Sequence, residues 1–383
     1  MRVSLEETER RINYLKSFLN TYDVLLVFSP VNIFYFTDTF VRGVLVVTKE
    51  EVKLLVNRPL ERAKKESRVP VERLKSLKDL TFYCKNCKKI GVESNYFKGI
   101  AWEKFKTLFD EAEVSPIDRL IDEIRALKSE EEVIFIKKAG QRLNKALKKA
   151  ISNFAPGIKE IEASAILEKE LRLCGHPGFT RSRNGFELTY GYLISGKEGL
   201  FPTHFITGEG GKGIYGFPGG ATTKVLKENE PIMADFSGFC AGYYIDQTRM
   251  LSFTKIKEAE EFYKVALEVI KFLEKEIIPG VRADEVYEKC IDFVKQKGYE
   301  KFFMKHGEDL GFVGHGVGLE IDEPPYIAKG QKVELKENMV IALEPKFHVK
   351  GLGVVGIEDT FVIEKDGLKR LSSFSRKWHL LKR

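Results

Sequence analysis

The chain has 383 residues, of which 43% are hydrophobic and 31% charged, and a formal net charge of +7; that length favours two domains over a single core, and no apolar run reaches the ~18 residues of a membrane span. Its lysines follow helical spacing, as in KKAGQRLNKALKK, a solvated face rather than a nucleic-acid patch, so neither a membrane nor a nucleic-acid partner is expected. Five scattered cysteines, an odd number, argue against a disulfide framework; with no secretory pattern after Met1 they point to a reducing, cytoplasmic setting.

The first segment places Leu5, Ile12, Leu15, Phe18 and Leu19 at a helical period, after which short strand-like runs follow at residues 24–28, 44–48 and 52–56. Strands alternating with helices continue to about Ser115, which predicts a separate α/β domain over residues 1–122. It carries no histidine and no carboxylate cluster with apolar flanks, so a covering or pairing role is expected of it. Cys84 and Cys87 have C-x-x-C spacing, but no second pair or nearby histidines complete a zinc site, and they read as incidental thiols.

A second domain, residues 123–383, opens at Ser129, where Ser129 and Glu132 form a capping box. Val133, Ile136, Ala139, Leu143, Ala146, Leu147 and Ile151 then keep one helical face apolar up to the Pro156–Gly157 break. A second helix runs through Ile161, Ala165, Ile166 and Leu173 to Gly175, a natural left-handed stop. The same arrangement recurs from about Glu258, with a break at Pro279 and Gly280 and a stop at Gly298. Each proline precedes its terminating glycine by 19 residues. Strand-rich sequence follows each pair, so an internal duplication about a pseudo-two-fold axis is expected, with a site in the cleft between the halves.

Four segments carry chemistry. In IMADFSGFCAGYYIDQTRMLSF, Asp235 and Asp246 lie on two strand-like runs separated by a turn at residues 238–242, a hairpin that sets both carboxylates side by side. Carboxylates that close repel unless a cation or shared proton lies between them. In GFVGHGVGLEIDEPP, His315 is enclosed by Gly314, Gly316 and Gly318, which leave the imidazole room to face a ligand. Glu344 closes the apolar run MVIALEP, and Glu358 interrupts GVVGIEDTFVI, where an unanswered carboxylate would be costly. Four carboxylates and one imidazole suit two divalent cations that share bridging oxygens, and such a pair activates water while polarising a carbonyl.

The order Asp235, Asp246, His315 in GHGVGLE, Glu344 in LEP and Glu358 in IEDT resembles the pita-bread metallopeptidases, a family that includes Xaa-Pro aminopeptidase, prolidase, methionine aminopeptidase and the metal-free creatinase. The resemblance covers about Ser129 to Ile363, and residues 1 to about 122 look like the N-terminal domain of the creatinase, prolidase and aminopeptidase P branch. It implies an α/β chain with a C-terminal pita-bread domain, two divalent ions of manganese, cobalt, iron or zinc, a small peptide or amide substrate, and a homodimer. It further implies that Asp246 and Glu358 bridge both ions, that Asp235 completes one and His315 with Glu344 the other, and that Glu344 shuttles the proton. Thr248 and Arg249 would orient Asp246 and its neighbours.

Two positions depart from the family pattern. Prolyl-specific members carry a second histidine shortly after the metal histidine, where this chain has Asp322. His204, in SGKEGLFPTH, is one residue away from the usual place of another assisting histidine, and the glycine-rich GEGGKGIYGFPGG that follows it suggests a lid or cleft-lining insertion. His176, Arg181, Arg183 and Glu187 form a polar segment suited to an ion-pair network or to recognition of an anion; Asp322, His204, Arg181 and Arg183 are the candidate substrate-binding residues, with His204 also a candidate catalytic group. The expected function is a Xaa-Pro aminopeptidase or dipeptidase. The alternatives are the same metal site acting on a non-prolyl or non-peptide amide, because of Asp322, and a non-catalytic binding module.

Overall fold

The computed structural model describes residues 1–183, 185 and 188–382, and the chain divides into two compact units, Met1–Arg125 and Ala126–Arg383. The first unit is built on a six-stranded mixed sheet in the order Val71–Arg73, Val52–Arg58, Arg42–Val47, Val24–Val27, Lys89–Val92 and Glu113–Pro116. Every residue of Val24–Val27 is buried, as expected of a β-branched and leucine-rich central strand. On one face Val24, Leu26, Val44, Val46, Ile90 and Val92 pack against Phe105 and Phe109.

In the second unit Ser129 caps the Glu130–Ile151 helix as its sequence requires: Glu132 N–H donates to Ser129 Oγ at 3.3 Å, and Ser129 N–H donates to the Glu132 carboxylate at 2.9 Å. The Glu160–Leu173 helix follows it, and the pattern returns as Lys257–Glu276 and Ala283–Gln296. The breaks match in detail. Gly157 and Gly280 have φ of 95° and 96°, and the stops Gly175 and Gly298 have φ of 91° and 79°, all left-handed values that favour glycine.

Each helix pair is followed by its own sheet. After the first comes a four-stranded sheet in the order His379–Leu380, Tyr243–Ser252, Ile232–Cys240, Gly191–Ser195; after the second comes a five-stranded sheet in the order Glu323–Ala328, Phe312–Gly316, Val340–Leu343, Asp359–Glu364, Gly367–Arg370. The Lys257–Glu276 helix buries Ala259, Phe262, Ala266, Val269, Ile270 and Leu273, a 3.6-residue stripe that shares one core with Phe347, Val354 and Val355. Phe262, Val269, Ile270 and Leu273, taken fully from water, each contribute roughly 1.5–3 kcal/mol, and truncating Leu273 to Ala would cost about 2–5 kcal/mol.

Glu358 does not lie in mid-strand as its apolar flanks suggest. The chain changes sheets there: Gly353–Gly356 pairs with Lys346–Val349, while Asp359–Glu364 pairs with Val340–Leu343. Because Leu343 pairs with Asp359, Glu344 and Glu358 are the next residues at the same end of one ladder.

Candidate metal centre

Asp235 and Asp246 come from one hairpin. Ala241 and Gly242 have φ of 54° and 99°, the backbone of a two-residue turn whose twist suits the flanking strands. The turn is shorter than residues 238–242, and Gly238, Phe239 and Cys240 stay in the ladder. Asp235 is paired with Thr248 and Asp246 with Ser237, which makes the carboxylates diagonal neighbours on one face. His315 is presented by the Phe312–Gly316 strand, paired on both edges to Tyr326 and Ala342. Its Nδ1 is 3.2 Å from the Gly316 carbonyl oxygen; that oxygen only accepts, so in the neutral ring Nδ1 holds the proton and Nε2 offers its lone pair. Nε2 is 3.3 Å from Glu344 Oε1 and 3.7 Å from Glu358 Oε1. Asp246, His315 and Glu358 each place one potential ligand atom within 4.8 Å of the others.

Glu209, Asp235, Asp246, Glu344 and Glu358 line one cavity together with His315 and Lys346. With Asp322, which also lines it, six carboxylates share the cavity with one ammonium and one imidazole. Burial first, and then neighbouring carboxylates, raise Asp246 to about 7 and push Glu358 and Glu209 well above the usual range. Burial also works to raise Glu344, but Lys346 and His315 outweigh it and hold this carboxyl at about 2. For His315 burial opposes the charged form, yet Glu344 and Asp246 raise it to about 9. Glu358 Oε1 is buried without a hydrogen-bond partner among the described residues. Surplus negative charge, an unanswered carboxylate oxygen and an imidazole nitrogen turned toward the carboxylates fit a divalent cation at Asp246, His315 and Glu358.

The supporting contacts concentrate on Glu358. Thr248 Oγ1 donates to Glu358 Oε2 at 2.9 Å, and the fully buried Arg249 donates to the Glu358 carbonyl at 2.7 Å and to Asp359 Oδ1 at 2.6 Å. Thr248 and Arg249 therefore brace Glu358 and its neighbour. Asp246 is braced instead by Thr360, whose Oγ1 accepts from Asp246 N–H at 3.1 Å and donates to its carbonyl at 2.8 Å.

Residues 135–365, more than half of the chain, match metallopeptidase family M24, and residues 18–127 match the creatinase/prolidase N-terminal domain. The chain belongs to metallopeptidase family M24. It is 29% identical over 376 residues to a Xaa-Pro dipeptidase of Pyrococcus furiosus, covering 97% of this chain and 99% of that protein. A Xaa-Pro dipeptidase of Pyrococcus horikoshii is 28% identical over 98% of this chain and 99% of its own length. The crystal structure of the prolidase from Pyrococcus horikoshii OT3 superposes with a TM-score of 0.79 at 27% identity, covering 97% of this chain and 99% of that one. The duplicated C-terminal unit is accordingly the M24 pita-bread fold, preceded by a creatinase-like α/β domain.

In this M24 chain the other residues singled out from sequence are dispersed. His204 is exposed, its ring tilted 43° to that of Phe205 with 4.0 Å between centroids, and it is not among the residues lining the cavity. Arg181 donates to the Leu319 carbonyl at 2.7 Å and packs over the Tyr244 ring; Arg183 pairs with Glu320 at 3.5 Å. Neither arginine lines the cavity. Asp322 does, its carboxylate accepting from Ser182 Oγ at 2.7 Å and from Arg183 N–H at 2.6 Å. His176 is buried beside Ser237, 3.1 Å from its Oγ. Glu187 lies outside the described residues.

Two charged cavity residues escaped the sequence reading. Lys346 opens a strand in which every residue is buried, the same signal of a charge in an apolar run that exposes Glu358. Glu209 is the one acidic residue of the glycine-rich stretch, and the glycines on either side let it enter. A Cβ on Gly208 would come within 2.1 Å of Glu344 Oε2, and one on Gly210 within 2.0 Å of the Phe201 carbonyl oxygen.

Proposed function

We propose that this protein is a metal-dependent Xaa-Pro dipeptidase. The observation that carries the reading is the Asp246, His315 and Glu358 group lining a cavity, in an M24 chain aligned over nearly its whole length with archaeal proteins named Xaa-Pro dipeptidase. Asp246, His315, Glu344 and Glu358 are the proposed ligands, with Asp235 beside them, for an ion of manganese, cobalt, iron or zinc. When bound, a divalent ion polarises a carbonyl oxygen and lowers the pKa of a water molecule.

The chain's own residues supply the rest. Glu344, kept ionised beside Lys346 and His315, is placed to take a proton from water and return it to the leaving imino nitrogen. Thr248 holds Glu358 in one orientation through its 2.9 Å hydrogen bond. Asp322, fixed by Ser182 and the Arg183 amide, offers a carboxylate to the free ammonium of a dipeptide. The archaeal Xaa-Pro dipeptidase relatives support peptide hydrolysis over a non-peptide amide or a binding module. The five unpaired cysteines support a cytoplasmic setting, and the family resemblance a homodimer.

The test is proline release from Xaa-Pro dipeptides after loading with each metal singly, beside Xaa-Pro-Yaa tripeptides and non-prolyl dipeptides. Metal-dependent cleavage confined to Xaa-Pro dipeptides is expected. Cleavage of the tripeptides alone would make the protein an aminopeptidase, and bound metal with no prolyl turnover would reject the substrate class.

A further inference from the structure

Resting on the metal-dependent reading above, we propose that the Lys346 ammonium takes the place of a second divalent ion, so that the site holds one metal ion rather than two. The fully buried Nζ lies 2.5 Å from Glu209 Oε2, 2.7 Å from Asp235 Oδ2 and 2.9 Å from Glu344 Oε2, with Glu358 Oε2 at 3.7 Å. An ammonium has three N–H donors. The three nearer carboxylates use all of them, and the fourth oxygen is already served by Thr248.

The cluster is therefore divided. On one side Asp246, His315 and Glu358 converge, and Glu358 Oε1 is left without a hydrogen-bond partner among the described residues. On the other side Asp235, the carboxylate that only a second ion would need, is engaged by lysine. A second ion would have to share the Asp235 carboxylate with the lysine while lying next to a fixed positive charge that repels it.

The lysine is accommodated by the surrounding backbone. A Cβ on Gly356 would lie 2.6 Å from Lys346 Cγ, so the glycine leaves space for the lysine stem. A Cβ on Gly208 would lie 2.9 Å from Nζ, and its absence lets the chain pass close enough for Glu209 to reach the ammonium. Replacing a doubly charged ion by a singly charged one leaves more negative charge uncompensated. The paired burial of Glu209 and Lys346 adds a hydrogen-bonded partner for the lysine, and a single divalent ion on the other side offsets part of the remainder.

The test is metal content by elemental analysis of the full chain, loaded with Mn²⁺ and desalted, with the Mn²⁺ electron paramagnetic resonance spectrum taken on the same sample. The unmodified protein is expected to hold one Mn²⁺ per chain with the spectrum of an isolated ion. Lys346→Gly is expected to hold two, exchange-coupled. Lys346→Gly combined with Glu209→Gln removes the carboxylate that the single variant strands, and is expected to hold two as well. If neither variant folds, the count and spectrum of the unmodified protein decide. Two coupled ions in the unmodified protein would overturn the lysine assignment and leave the metal-dependent reading standing. One ion in a folded lysine variant would also overturn it, and no ion in any sample would overturn both.

Discussion

The two units each bury carboxylates, and Glu93 and Glu358, one from each, are treated differently. In the N-terminal unit Glu93 is 4% exposed and accepts from Phe28 N–H at 2.8 Å, Ser29 N–H at 2.7 Å and Asn32 Nδ2 at 2.6 Å. It ties the end of a central strand to the start of the Pro30–Thr37 helix. In the C-terminal unit Glu358 is 1% exposed, accepts one side-chain hydrogen bond from Thr248, and keeps Oε1 without a hydrogen-bond partner among the described residues. Burial alone is therefore no mark of a site. A buried acid with its donors supplied belongs to the scaffold, whereas one left short of donors among other acids is arranged for something that arrives later.

The sharpest way to break this comparison is Glu358→Ala. It is expected to lose bound metal and to lower kcat/KM by more than ~100-fold, beyond the range typical of losing a ligand's supporting partner, while the melting temperature of the metal-free protein holds or rises. A metal-free protein that melts well below the parent would show Glu358 to be scaffold. Glu93→Ala should do the reverse. With two backbone amides stranded at roughly 1–3 kcal/mol each, unfolding in urea should show a loss of about 3 kcal/mol, and metal content should not change.

His176 extends the scaffold side of the comparison into pH. Burial, with Arg172 adding to it, lowers this histidine from 6.5 to about 4. Its folded-state pKa is depressed, so the native state prefers the neutral ring: the contribution is fully present above pH 6.5 and is lost as pH falls toward 4. Urea titrations across that window should show at most about 3 kcal/mol of loss, and His176→Asn should flatten the slope. The smallest effect is expected at Thr248→Val, a drop of ~10- to 100-fold in metal affinity by calorimetric titration, with Thr248→Ser close to the parent.

Local sequence determined a good deal. The Ser129 capping box, the Pro156–Gly157 and Pro279–Gly280 breaks and the stops at Gly175 and Gly298 are written in neighbouring residues, because caps and left-handed turns depend on only a few consecutive backbone angles. Asp246, His315 and Glu358 were legible for a related reason: a charged or imidazole side chain within an apolar run needs a partner, and the run itself is local. Which partner it finds depends on strand register and on segments far apart in the chain. Tertiary structure alone brought Lys346 to Asp235, 111 residues upstream, and to Glu209 on a glycine stretch 137 residues upstream. It also turned His204 out to solvent and gave Arg181 to a backbone carbonyl 138 residues away. Spacing along a chain constrains neighbours within a few residues, whereas contacts at these separations are set by how two sheets pack.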